Sequence, residues 1–166
     1  MLSRPCPECG FDTRSVSRDD IPGMIRANAA AWPEALAAPR AAYRPQPDKW
    51  SPLEYGCHVR DVLRLYDYRL GLMLTEDDPL FPNWDQDETA TADRYGEQDP
   101  AEVARQLGAA AEPLADRFAG VSPDQWRRPG RRSDGAAFTV ETFGRYFIHD
   151  PVHHLYDVTG MRYSPG

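Results

Sequence analysis

The four histidines of the chain fall at two places: His58 alone, and His149, His153 and His154 together in the segment HDPVHH, which also contains Asp150. Imidazole and carboxylate are donors suited to divalent ions. On a helix, residues four apart share a face, so this segment offers two chelating pairs, His149 with His153 and Asp150 with His154. His58 could supply a third ligand. Two His and a carboxylate, or three His, leave coordination positions open, and an open position makes the ion a Lewis acid able to deprotonate water or a thiol near neutral pH. Asp157, three residues after His154, and Asp61, three after His58, lie on adjacent faces and could orient a ligand imidazole. The paired Glu-x-x-His of di-iron bundles is absent from the sequence.

A second set of donors stands near the N-terminus. Cys6-Pro7-Glu8-Cys9-Gly10 has the shape of a zinc knuckle, in which a tight turn aims two thiolates at one metal. Such a knuckle needs two further ligands, and Cys57 is the one cysteine left. Three readings compete: the pair recruits histidines from elsewhere and ties the tail down, it forms a redox dithiol, or it is a half-knuckle facing solvent. Metal binding by Cys6 and Cys9 is the preferred one. Cys57, beside His58 but on a different helical face, reads as a small core residue.

Four amphipathic stretches must position these groups. The first runs from about Asp20 to Ala38, with Asp19 or Asp20 as cap, Pro22 in the first turn and a kink or break expected at Pro33 near Trp32. Ser51-Pro52-Leu53-Glu54 opens the second with a capping box, and Tyr55, Val59, Val62, Leu63, Tyr66, Leu70, Met73 and Leu74 follow along one face. The third starts at Asp99-Pro100-Ala101-Glu102 and buries Val103, Leu107, Ala110, Leu114 and Phe118, with a bend expected at Pro113. Thr139 to Thr159 forms the fourth, with Gly160 suited to its C-terminal cap. Strand alternation is not evident anywhere, so the expected fold is an all-α four-helix bundle.

On the fourth helix Val140, Phe143, Phe147, Leu155 and Val158 define the apolar stripe. Asp150 and His154 lie on its edge, while His149 and His153 point largely away. A metal inside the bundle therefore selects Asp150 and His154. Pro151 removes a helical hydrogen bond and could rotate the two halves of the helix, which keeps the other register open. Residues 75–98 form a long connection with eight acids and a single Arg, read as a solvated crossover. Arg127, Arg128, Arg131 and Arg132 surround a Pro-Gly turn and could grip a carboxylate or phosphate, or neutralise the acidic crossover.

Length and composition bound the function. A chain of 166 residues, 41% hydrophobic and 27% charged, is expected to form one domain. The division expected is a Cys-x-x-Cys tail over residues 1–18 and a bundle over 19–166. A net charge of -7 argues against general nucleic-acid or membrane-surface binding. Three cysteines do not make a disulfide framework, and no 18-residue apolar run or signal-like start is present. A cytoplasmic protein is the expectation.

The opening Trp50-Ser51-Pro52-Leu53-Glu54, the histidine early in the second helix and the late acid-or-His-x-x-x-His pair resemble the DinB-like superfamily, across roughly residues 20–160. That group includes the mycothiol-dependent maleylpyruvate isomerases and related thiol-dependent transferases. The resemblance implies three ligands on a divalent metal, commonly zinc or nickel: a His on the second helix, then a His or Glu and a His four residues later on the last. Carried over, these are His58, Asp150 and His154, with Asp157 matching the Gln or Asp that often follows the last ligand. Asp in place of His or Glu, and Pro151 within the motif, are departures from the pattern. The implied activity is a metal-dependent S-transferase or isomerase in which a low-molecular-weight thiol attacks an electrophile. Asp157 would then be the catalytic orienting residue, and Arg128 and Arg131 would receive carboxylates of thiol or substrate. Two alternatives stay open. One is a non-enzymatic metal protein whose site is closed by His149, His153, Cys6 or Cys9; the other is a hydrolase using Asp61 or Glu54 as base. Related bundles often pair, so a homodimer is among the expected partners.

Overall fold

The computed structural model describes residues 4–165. Four long helices form the body: α1 (Ile21–Ala37), α2 (Pro52–Thr75), α4 (Pro100–Ala119) and α5 (Val140–Thr159), with a short α3 (Gln86–Ala92) in the crossover between α2 and α4. Their ends are fixed locally. Ser51 accepts from the Glu54 amide while the Glu54 carboxylate accepts from the Ser51 amide, the reciprocal bonds of a capping box. The same device, Thr139 with Thr142, starts α5, and Gly160 ends it at φ 74°, a left-handed conformation that costs glycine little. Both α4 and α1 run through their internal prolines, Pro113 and Pro33, without a break. The break allowed for at Pro33 is therefore absent. Asp20 stands at the N-cap of α1 with its side chain engaged elsewhere, accepting from the Ser17 amide.

Helix α1 packs chiefly on α4 and α5, and α2 likewise on α4 and α5. Trp32, Leu53, Leu70, Met73, Leu107, Leu114, Phe118, Phe143 and Phe147 fill the space between them. Ala111 and Ala115 are the buried alanines of α4, while Ala110, expected in the core, is partly buried. The Tyr66 ring lies 4.7 Å from Phe143 and 4.8 Å from Phe147, which anchors the middle of α2 to the middle of α5.

Two features depart from the sequence expectation. Strands β1 (Leu80–Phe81), β2 (Pro129–Arg132) and β3 (Ala137–Thr139) make a small sheet in that order, β1 parallel and β3 antiparallel to β2. Strands of two to four residues are too short to show alternation. The crossover, in turn, is structured: β1, α3 and a 3-10 turn at Tyr95–Glu97 occupy it, and Phe81 and Tyr95 are buried. Its acids face out while its aromatic residues face in.

Gly144 lets three helices meet. A Cβ placed there would stand 2.8 Å from Ile21 Cδ1 of α1 and 2.9 Å from Phe118 Cε1 of α4. Gly144→Ala is expected to lower stability by about 1–2 kcal/mol, because overpacking against a buried ring outweighs the helix-propensity gain of alanine. Thermal unfolding beside Gly108→Ala, where a Cβ meets open space, checks this.

Candidate metal centre

Two clusters of metal-type donors lie side by side at one end of the bundle. His58 of α2 with Asp150 and His154 of α5 forms the first; Cys6 and Cys9 of the tail with His149 and His153 of α5 form the second. Within each cluster one ligand atom per residue lies within 4.8 Å of all the others. Each register of HDPVHH thus falls in one of the two clusters. One face of α5 meets α2 and the neighbouring face meets the tail.

In the first cluster Asp150 bridges the imidazoles. Its Oδ2 is 3.2 Å from His58 Nε2 and its Oδ1 is 3.5 Å from His154 Nε2. Donors about 2.1 Å from a tetrahedral ion stand about 3.4 Å apart, so this spacing suits a shared divalent ion. The other nitrogen of His154 completes the pattern: Nδ1 and Asp157 Oδ2 are 2.9 Å apart. A carboxylate on the far nitrogen fixes ring orientation and leaves Nε2 for the ion. His58 is buried, with Trp84 stacked on it at 5.6 Å and Trp50 tilted against it at 5.5 Å. Its Nδ1 has no partner among the described residues. Asp61, the expected acceptor, instead takes bonds from Tyr95 and Arg60.

Burial opposes the charge on Asp150, but hydrogen bonds from His154 and His58 outweigh it and hold the carboxyl below the usual range. Burial also opposes the charge on His154, and its bonds to Asp150 and Asp157 prevail, raising it to about 9. Without metal, therefore, the raised His154 stabilises the fold fully below its ordinary value near 6.5, and that contribution fades as pH rises through about 9. A metal ligand must give up that proton. Divalent-ion binding at neutral pH is accordingly expected to release protons, and affinity to climb as pH rises toward about 9. Calorimetry in buffers of different ionisation enthalpy measures this.

In the second cluster Cys6 Sγ is 3.7 Å from His153 Nδ1 and Cys9 Sγ is 3.6 Å from His149 Nε2. Burial lifts the Cys9 thiol to about 11 and lowers His149. Cys57 belongs to neither cluster; it is fully buried and pushed up to about 12 by that burial.

A cavity of about 360 Å³ opens onto both clusters. Along α2 it is lined by His58, Val62, Leu65, Tyr66 and Arg69, and from other elements by Cys6, Asn83, Trp84 and Arg132. Arg69 is buried, donates to the Pro82 carbonyl at 2.8 Å, and has an Nε without a partner among the described residues. Its guanidinium lies over the Phe81 ring at 5.0 Å. Arg128 and Arg131, the expected anion receivers, are turned away. Arg128, just before β2, donates to the Met73 and Glu76 carbonyls at the end of α2, and Arg131 of β2 pairs with Asp78 in the segment that follows α2. Arg69 and Trp84 went unsingled in the sequence. Arg69 stands eleven residues after His58, three turns along the same face, and that periodicity was the available signal.

The long helices thus form a bundle in which a His, an Asp and a His converge from α2 and α5, a donor set that could hold a metal ion. The family model of the DinB superfamily matches residues 24–158, and the chain belongs to that superfamily. Among solved structures it is similar to YfiT from Bacillus subtilis, described as a probable metal-dependent hydrolase with an unusual four-helix bundle topology. That match has a TM-score of 0.77 and 19% identity, and covers 90% of each chain. It is also similar to a mycothiol-dependent maleylpyruvate isomerase, with a TM-score of 0.67 and 12% identity, covering 90% of this chain and 63% of that one. No curated protein matches the sequence. Among the described residues no helix is long and apolar enough to cross a membrane.

Proposed function

We propose that the chain is a metal-dependent S-transferase or isomerase using a low-molecular-weight thiol, of which mycothiol is the example its structural neighbour supplies. His58, Asp150 and His154 hold a divalent ion, and two imidazoles with one carboxylate suit zinc and accommodate nickel. When bound, the ion lowers the pKa of a coordinating thiol, so that thiolate is available at neutral pH. Asp157 orients the His154 ring. Trp84 and Trp50 cover His58 and keep water from that side of the site.

The observation that carries the reading is Arg69, buried, with an Nε that has no partner among the described residues, and lining the same cavity as His58, Asp150, His154 and Arg132. A substrate carboxylate would satisfy that donor in a charge-assisted bond. A bound ion would activate thiol and water alike, and a general base in the cavity would favour hydrolysis further. The two carboxylates expected for that role are held elsewhere, Glu54 by Arg44 and the Ser51 amide, Asp61 by Arg60 and Tyr95. Three free cysteines and a thiol co-substrate both suit a reducing cytoplasm.

Arg69→Met is expected to raise KM for carboxylate-bearing electrophiles by about 10–100-fold, the worth of one hydrogen bond to a charged group, with a smaller change for uncharged ones. Thiol-conjugation kinetics of the metal-loaded protein test it. Equal KM for both electrophile classes would remove the assigned role of Arg69, and turnover that does not require thiol would favour hydrolysis.

A further inference from the structure

We infer that Cys6, Cys9, His149 and His153 form a second metal site, closed and tetrahedral, that holds zinc independently of the open centre. The geometry carries this. With Zn–S about 2.3 Å and Zn–N about 2.05 Å, a tetrahedral ion places sulfur and nitrogen about 3.6 Å apart. Of the four sulfur-to-nitrogen pairs, Cys6–His153 is at 3.7 Å and Cys9–His149 at 3.6 Å, and one ligand atom from each of the four residues lies within 4.8 Å of the others. Four protein donors of the S2N2 type leave no open position, which is the mark of a structural rather than a catalytic ion.

The surroundings are built for such an ion. The Cys6 amide donates to the Phe11 carbonyl and the Gly10 amide to the Cys6 carbonyl, closing the turn that aims both sulfurs one way. Gly10 has φ 81°, which a side chain would resist. Phe11 stacks on the His149 ring at 5.4 Å, and the Tyr163 amide donates to the Cys9 carbonyl. His153 presents Nδ1 to Cys6 and its other nitrogen to carboxylates, Glu8 at 3.5 Å and Asp157 at 3.8 Å. Asp157 thus faces one imidazole of each cluster, with Oδ2 on His154 and Oδ1 toward His153.

Zinc at this site would staple the tail to α5 on both sides of Pro151, since His149 precedes that proline and His153 follows it. It would also fix one wall of the cavity, which Cys6 and Glu8 help to line. Ion binding converts both thiols to thiolates and releases their two protons to solvent.

X-ray absorption of the zinc-loaded protein reads the site directly. Expected are two zinc ions per chain and a sulfur shell near 2.3 Å. In Cys6→Ser/Cys9→Ser one zinc and the whole sulfur shell should be lost. In His58→Ala one zinc should be lost while the remaining one shows two sulfur neighbours. Wild-type protein that binds zinc with no sulfur shell would overturn the inference, and this readout needs no variant to fold. An unchanged zinc content in the cysteine double variant would overturn it as well. Failure of the open centre looks different: one zinc per chain in wild type, all of it sulfur-ligated, and no loss in His58→Ala.

Discussion

His58→Ala is expected to strip the divalent ion from the open centre and reduce thiol-dependent turnover to background. Substitutions around metal ligands already cost about 10–100-fold in affinity, and removal of one of three ligands costs more. His58 is also the sole donor from α2, so without it the remaining pair, Asp150 and His154, comes from a single helix. The effect should be confined to the site, because the ring occupies a cavity wall and the capping box that starts α2 is untouched. Asp150 should lose a hydrogen-bonding partner in the variant, and its carboxyl should move back up toward the ordinary range. Elemental analysis together with equilibrium competition against a chelator measures the loss. Retained affinity at the open centre would show that α2 does not contribute a ligand.

The largest effect on stability is expected from Phe147→Ala. Phe147 is fully buried on α5, packed on Tyr66 of α2 at 4.8 Å and facing Phe118 of α4 at 6.4 Å. Truncating a buried Phe leaves a cavity and costs about 3–5 kcal/mol. For a chain of this size that lowers Tm by roughly 10 °C. Three residues further along α5 stands Asp150, so loosening this contact also releases the segment that sets the distance between Asp150 and His58. Metal affinity should fall although no ligand has changed. Calorimetric unfolding of metal-free and metal-loaded variant separates the two effects: added metal should recover part of the lost Tm, since it binds the folded chain.

The parts of the sequence with local physical signatures were legible. Ser51 with Glu54, Pro100 after Asp99, and Gly160 mark helix ends through bonds made within a few residues, and the structure places the ends there. The i,i+4 spacing of Asp150 and His154 likewise placed them on one face. Other features depended on what packs across a face. The helical wheel sets His149 and His153 pointing away from the bundle, and for an isolated bundle that direction is solvent. Here the tail covers it, so each register of the motif faces its own set of possible donors.

Arg69 was hidden in an apolar stripe whose neighbours, Tyr66 and Phe81, flank it in space but only one of them in sequence. Trp84 was masked by the acids around it. Arg128 and Arg131 looked like anion receivers because arginines crowd one turn, yet the nearest acceptors, backbone carbonyls at the end of α2 and Asp78, claim them first. The sheet was invisible for a simpler reason. Strands this short pair through backbone bonds alone and impose no pattern on side chains.

The open, thiol-accepting character of the His58, Asp150 and His154 centre is tested most directly by the visible and near-ultraviolet spectrum of the cobalt-loaded protein during titration with a low-molecular-weight thiol. The titration is run in parallel on His58→Ala, so that cobalt held by the tail cysteines contributes equally to both. The expected result is a new, saturable sulfur-to-cobalt charge-transfer band in the wild type that is missing from the variant. An unchanged wild-type spectrum, or the same new band in His58→Ala, would contradict it.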